Sequence, residues 1–399
     1  MTTQNTEQSA APIMAWPRKD GRKGIRNVIT VAYLVECAHQ VADKICRKFD
    51  ESDVHLIGFS GCSPNEYSQY MMEALCTGPN VGAVLLVSLG CENFKKRQLA
   101  SVVEASGRPV HTITIQETGG TRRSIDEGVE WINTTLADLR KQPKVPMDVS
   151  ELVIGTICGG SDGTSGISGN PAAGYAFDRL VEAGATCIFE ETGELIGCEH
   201  IMADRAISPE VGKQIIAAVN KASAYYDEMG IGSFSQGNAD GGLSTIEEKS
   251  LGAYAKSGSS KIMGVIKPAQ QPAGRGLYLL DVVSDGGMKY GVPNINDTQE
   301  IIELIASGSH VVTFVTGRGS VAAAALSPVI KVCANPETYA RMDEDMDVNA
   351  GRIIAGEATI QEVGQEIFDL IIKVAQGELT TGEQLGHNEF VLDYKYFDR

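Results

Sequence analysis

The chain is poor in the residues that announce a site by themselves. It has 2 tryptophans and 6 histidines in 399 residues, and no CxxC, HExxH or similarly compact ligand spacing, so a closed structural zinc site has no support. Basic residues are scarce as well: 34 Lys and Arg stand against 51 Asp and Glu, a formal charge of -17 that disfavours broad contact with nucleic acid or anionic membranes. That balance fits a very soluble cytoplasmic protein, and equally one from an organism with a saline interior. No stretch approaches a transmembrane span. The opening MTTQNTEQSAAP lacks the basic and apolar parts of a secretory leader, and residues 1–14 read as a short disordered arm. The 9 cysteines are scattered rather than densely spaced, which excludes a secreted disulfide scaffold and suits a reducing cytoplasm.

What is abundant is glycine, 44 residues, and a repeating order of short apolar strands and helices. Strands are expected at 28–33, 54–59, 82–88 and 109–115, each followed by a helical apolar period. That alternation predicts an α/β fold with mainly parallel sheets covered by helices, and the length predicts two or three domains. An N-terminal α/β domain spans 15–145, and Lys141–Asp148, KQPKVPMD, reads as a linker. A C-terminal α/β region covers 151–399, with strands near 185–189, 277–283, 311–315 and 328–333. Thr245 and Glu248 have the spacing of a capping box that opens a helix.

The stretch Gly155–Pro171, GTICGGSDGTSGISGNP, organises the second region. It follows an apolar run and precedes a helical pattern, so it is either an ordinary crossover turn or a loop that wraps an anion or presents donors to a metal. Two more strands run into Gly-Cys loops, at Cys62 and Cys91. In a parallel sheet such loops lie at the carboxyl ends of strands, where ligands bind. Metal donors available nearby are Cys158, Asp162 and Glu190. Glu191, His200 and Lys249 are the candidate proton-transfer groups. Arg26 and Arg318 stand in glycine-flanked turns suited to clamping an oxyanion, and Ser161, Thr164 and Asn93 are small polar candidates for substrate contact. Each of these also has a plain structural reading.

Six motifs go further: GRKGIRN at 21–27, SLGCEN at 88–93, CGGSDGTSGISGNPAAG at 158–174, EETGELIGCEH at 190–200, GNADGGLSTIEEKSLG at 237–252 and VTFVTGRGS at 312–320. In order and over nearly the whole chain they resemble the altronate/galactarate dehydratase family. The resemblance implies an iron-associated (Fe2+) lyase acting on 2-hydroxy acids with a leaving group at C3. Sugar-acid dehydratases of the family carry a small extra domain before the glycine-arginine turn, where this chain has only the arm. It is therefore similar to the family's separate large (beta) subunits, which imply a small (alpha) subunit as partner, an oligomeric complex, and cleavage of (2R)-3-sulfolactate to pyruvate and bisulfite. A complete altronate- or galactarate-type dehydratase and a non-catalytic ligand-binding scaffold are the alternatives.

Overall fold

A computed structural model describes residues 12–398 except 191, 231, 233 and 286–295. The first domain is built on a parallel sheet of β3 (Val28–Tyr33), β4 (Val54–Gly58), β5 (Val81–Ser88) and β6 (Val110–Thr114), in the spatial order β4-β3-β5-β6. Every residue of β5 is buried, as expected for a central strand covered on both faces. β1 (Ile13–Pro17) pairs antiparallel with β2 (Lys23–Gly24) and with β7 (Val145–Met147). The expected arm and linker are corrected here: Ile13 and Met14 belong to β1, and part of KQPKVPMD is its strand partner. Residues 1–11 lie outside the described residues.

The second domain holds a seven-stranded parallel sheet. Its strands are β8 (Val153–Cys158), β9 (Thr186–Glu190), β10 (Ile262–Ile266), β11 (Gly276–Leu280), β12 (Val311–Thr316), β13 (Val329–Cys333) and β14 (Val348–Asn349), in the order β10-β11-β9-β8-β12-β13-β14. β10, which the sequence reading omits, is a half-exposed edge strand containing Gly264, so it lacks the continuous apolar run of its neighbours. The carboxyl ends of β8 and β9 face the same way, and this places Cys158 and Glu190 side by side in the sheet order.

One helix joins the two sheets. Asp297–Ala306 buries Ile301, Ile302, Leu304 and Ile305 in a core shared with Tyr67, Met71, Met72 and Leu75 of the helix Glu66–Cys76 in the first domain. On its polar side Glu303 accepts two hydrogen bonds from Lys395 Nζ, at 2.7 and 2.9 Å, and one from the Tyr67 hydroxyl, and neither member of the ion pair is exposed. Gln299 Nε2 donates to the same hydroxyl at 3.1 Å. The C-terminal segment is thereby drawn across the joint, and it is fastened again where Asp398 N–H donates to Asp285 at 2.8 Å.

Removing one member of a fully buried pair leaves the other charged and unpaired. Lys395→Met is expected to lower unfolding free energy by about 3–5 kcal/mol, and the double variant Lys395→Met with Glu303→Leu to regain most of it. Denaturant unfolding measures both; a single-variant loss below about 1 kcal/mol would mean the pair behaves as a surface salt bridge.

Candidate active site

The glycine loop after β8 is held by its own short polar side chains. Asp162 Oδ1 accepts from Thr164 N–H at 2.8 Å and from the Thr164 hydroxyl, while Oδ2 accepts from Asn335 Nδ2 at 2.8 Å. Asn238 Nδ2 donates to the Ser161 carbonyl at 3.2 Å, so a second loop braces the first. Glycine is needed at Gly317 by close approach: a Cβ there would stand 2.0 Å from Asp162 Oδ1. This carboxylate organises the loop. Asp162 lines a neighbouring cavity with Ser161 and Lys249 rather than the cleft described below, and the Thr164 hydroxyl is taken up by Asp162 itself.

Between this loop and the 297–306 helix lies a cleft of about 330 Å³, lined by Cys158, Glu190, Glu194, Tyr226, Lys249, Asp297 and Glu300 among others. Cys158 Sγ lies 3.2 Å from Ser161 Oγ, and both residues are buried. Lys249, near the start of the helix Ile246–Lys256, is buried and its Nζ is 2.6 Å from Glu194 Oε1. Thr245 caps that helix by accepting from Glu248 N–H, as its spacing predicts.

Carboxylates dominate the opposite wall. Burial, reinforced by Asp297, Glu303 and Glu194, pushes the Glu300 carboxyl up to about 8 against the opposing pull of Lys395. Burial with the nearby Glu194 pushes Asp297 up to about 6, while Lys249 and Lys256 draw it down. Tyr226 is raised as well, by burial and by Glu300, Glu190 and Glu194. The sequence reading passed over these residues. Asp297, Glu300 and Glu303 recur at intervals of three on one helix, and that row of acids on a helix with an otherwise apolar pattern was the available signal.

The sequence candidates thus divide. Cys158, Glu190 and Lys249 meet in the cleft, and Ser161 lies buried beside Cys158. Arg318 stands at the loop's edge, where its backbone N–H donates to the Gly160 carbonyl at 3.0 Å and its side chain is exposed. Three others are corrected. Arg26 is a structural staple, forked onto Glu383 at 2.7 and 2.9 Å and donating to the Val374 and Glu378 carbonyls. Asn93 lies in the loop beyond β5 of the first domain, where its Nδ2 donates to Ser63 Oγ at 2.9 Å. His200 is exposed on the short helix Glu199–Asp204 and does not line the cleft. Glu191 lies outside the described residues. Among the described residues no three His, Cys, Asp or Glu side chains converge on one ion.

The raised Glu300 pKa carries a sign. The folded chain keeps this proton up to about pH 8, whereas the unfolded chain loses it in the ordinary carboxyl range, so the folded state is progressively destabilised as pH rises through that window. Glu300→Gln removes the titration. Its melting temperature is expected to fall less than that of the unsubstituted chain between about pH 5 and pH 9, and parallel profiles would refute the assignment.

Comparison with known proteins places this chain in a family. Residues 149–397 match the family model described as D-galactarate/Altronate dehydratase, C-terminal, and residues 15–140 match D-galactarate dehydratase/Altronate hydrolase, second domain. The chain is 32% identical to a (2R)-sulfolactate sulfo-lyase subunit beta from Chromohalobacter salexigens, over 98% of this chain and 99% of that protein. It is 36% identical to the galactarate dehydratase (L-threo-forming) of Escherichia coli over 79% of this chain and 60% of that protein. It is also 30% identical to the altronate dehydratase of Escherichia coli over 95% of this chain and 77% of that protein. The chain belongs to the D-galactarate/altronate dehydratase family of lyases.

Proposed function

We propose that the cleft dehydrates a sugar acid of the galactarate or altronate type by β-elimination. The observation that carries this reading is Glu300: a carboxyl that holds its proton near neutral pH, in a cleft with a lysine, is a general acid. Hydroxide is a poor leaving group and needs such a proton at C3. Sulfite leaves as a stable anion and needs it much less.

In this reading Lys249 is the base. It is buried in the cleft wall with its Nζ 2.6 Å from Glu194 Oε1, a carboxylate placed to take up the ammonium proton. The resulting amine takes the C2 proton. The electron pair forms the C2–C3 double bond, the C3–O bond breaks, Glu300 gives its proton to the departing oxygen, and the enol becomes a 2-oxo acid. Arg318 holds a carboxylate at the rim, and Ser161 fixes the Cys158 side of the floor.

Iron as Fe2+ belongs to the proposal. Of the expected donors, Cys158 and Glu190 line the cleft together, which fits two protein ligands and leaves the remaining positions to oxygen atoms of substrate and water. When bound, the ion would supply Lewis-acid polarisation of the substrate's carboxylate and C2 hydroxyl oxygens.

A second reading is favoured by the near full-length similarity to the sulfo-lyase subunit: cleavage of (2R)-3-sulfolactate together with a small alpha-type subunit in a heteromeric complex. The test compares 2-oxo acid release from galactarate, altronate and sulfolactate, before and after chelation and with ferrous iron restored. Turnover of a sugar acid, dependent on iron and lowered about 100-fold or more in Lys249→Met, is the expected result. Bisulfite release from sulfolactate in preference to sugar-acid turnover would select the second reading, and iron-independent turnover would remove the metal.

Arg318→Lys keeps the charge and loses the planar fork. KM for the acid is expected to rise roughly tenfold or more with the melting temperature unchanged; an unchanged KM would take Arg318 out of the site.

A further inference from the structure

The exposed cysteines of this chain are Cys37, Cys62 and Cys91, and all three follow the carboxyl ends of neighbouring strands in the first domain's sheet. β3 aligns Tyr33 with Gly58 of β4 and with Val87 of β5, and each cysteine lies four residues beyond that aligned row. Adjacent strands are about 4.8 Å apart, so the ends of these three strands fall within roughly 10 Å of one another. Beyond the strands the loops are tied together. Glu36 N–H donates to the Ser60 carbonyl at 3.1 Å, and Asn93 N–H donates to the Cys62 carbonyl at 2.8 Å. Asn93 Nδ2 also donates to Ser63 Oγ at 2.9 Å, which gives this residue its role.

Three thiols on a braced edge have the chemistry of a soft metal centre. A single ion fits them poorly. Bonds of about 2.3 Å from sulfur to one metal would require the sulfurs to converge, and no such convergence occurs among the described residues. A cube of iron and sulfide takes each thiolate on a different iron and accepts a wider set. Cys37 lies in the first turn of the helix Glu36–Cys46, just beyond β3. The other cysteines offer no alternative: five are buried, and burial pushes the thiols of Cys76 and of half-buried Cys46 up to about 12.

We propose that Cys37, Cys62 and Cys91 ligate an iron–sulfur cluster of the four-iron, four-sulfide kind, with the fourth iron open to a non-protein ligand. The proposal rests on sheet register and exposure and is independent of the β-elimination reading. It is tested on the full chain, incubated without oxygen with ferrous iron, sulfide and a thiol reductant, then desalted. Iron and acid-labile sulfide of about four each per chain, with a broad visible absorption, are expected. Cys37→Ser, Cys62→Ser and Cys91→Ser should each lower both contents at least twofold, with melting temperatures near that of the unsubstituted chain, and Cys46→Ser should leave loading intact. Cys91→Ala repeats the measurement without a hydroxyl ligand. Iron without labile sulfide, or full loading in any folded variant of the three, would overturn the proposal.

Discussion

The buried ion pair between Glu303 and Lys395 is the contact on which the arrangement of both domains depends. It fixes the 297–306 helix from its polar side while Ile301, Ile302, Leu304 and Ile305 fix it from the apolar side. A buried pair of this kind adds little net stability over an apolar replacement, yet it strongly penalises any packing in which either charge is left alone. Tyr67 and Gln299 complete the hydrogen bonding, so the helix has one register against the first domain. Its first turn then carries Asp297 and Glu300 to the cleft wall. Lys395 also pulls Glu300 toward ionisation, and the raised pKa is what desolvation and neighbouring acids leave after that pull.

The cleft is therefore an acidic enclosure in which Lys249 is the one buried lysine among the described lining residues, set against a glycine loop whose neighbouring loops cannot carry larger side chains. Gly317 meets Asp162, and a Cβ at Gly241 would come within 2.8 Å of the Asp162 Cβ. The loop owes its shape to Asp162, Thr164 and Asn335, while Cys158 and Glu190, at neighbouring strand ends, do the facing. Such a division of labour explains how a motif rich in polar residues contributes few of them to the site.

Much of the architecture was legible because it is written in periodicity. The strand and helix alternation, the placement of Cys62, Cys91 and Cys158 at or just past the carboxyl ends of strands, and the Thr245 cap follow from local rules that tertiary packing did not override. β10 and β7 were hidden, since one is a half-exposed edge strand and the other has a proline in its middle. Of the residues that local chemistry singled out, Cys158, Glu190 and Lys249 line one cleft. Local chemistry failed where a partner distant in sequence decides the role: Glu383, 357 positions from Arg26, turns that arginine into a staple. The spacing of Asp297, Glu300 and Glu303 marks Glu300 in the sequence, but its raised proton affinity comes first from burial at a domain joint, which local pattern does not record.

The central claim is that the C2 proton leaves to a base in the cleft and that C3 loses its hydroxyl in the same elimination. Turnover of galactarate deuterated at C2, followed by NMR in ordinary water, tests it most directly. The account predicts slower turnover of the deuterated acid, deuterium released to solvent, and a solvent proton at C3 of the 2-oxo acid. Complete retention of deuterium at C3 would contradict the mechanism, because an amine base mixes the abstracted deuteron with its own two protons before any return.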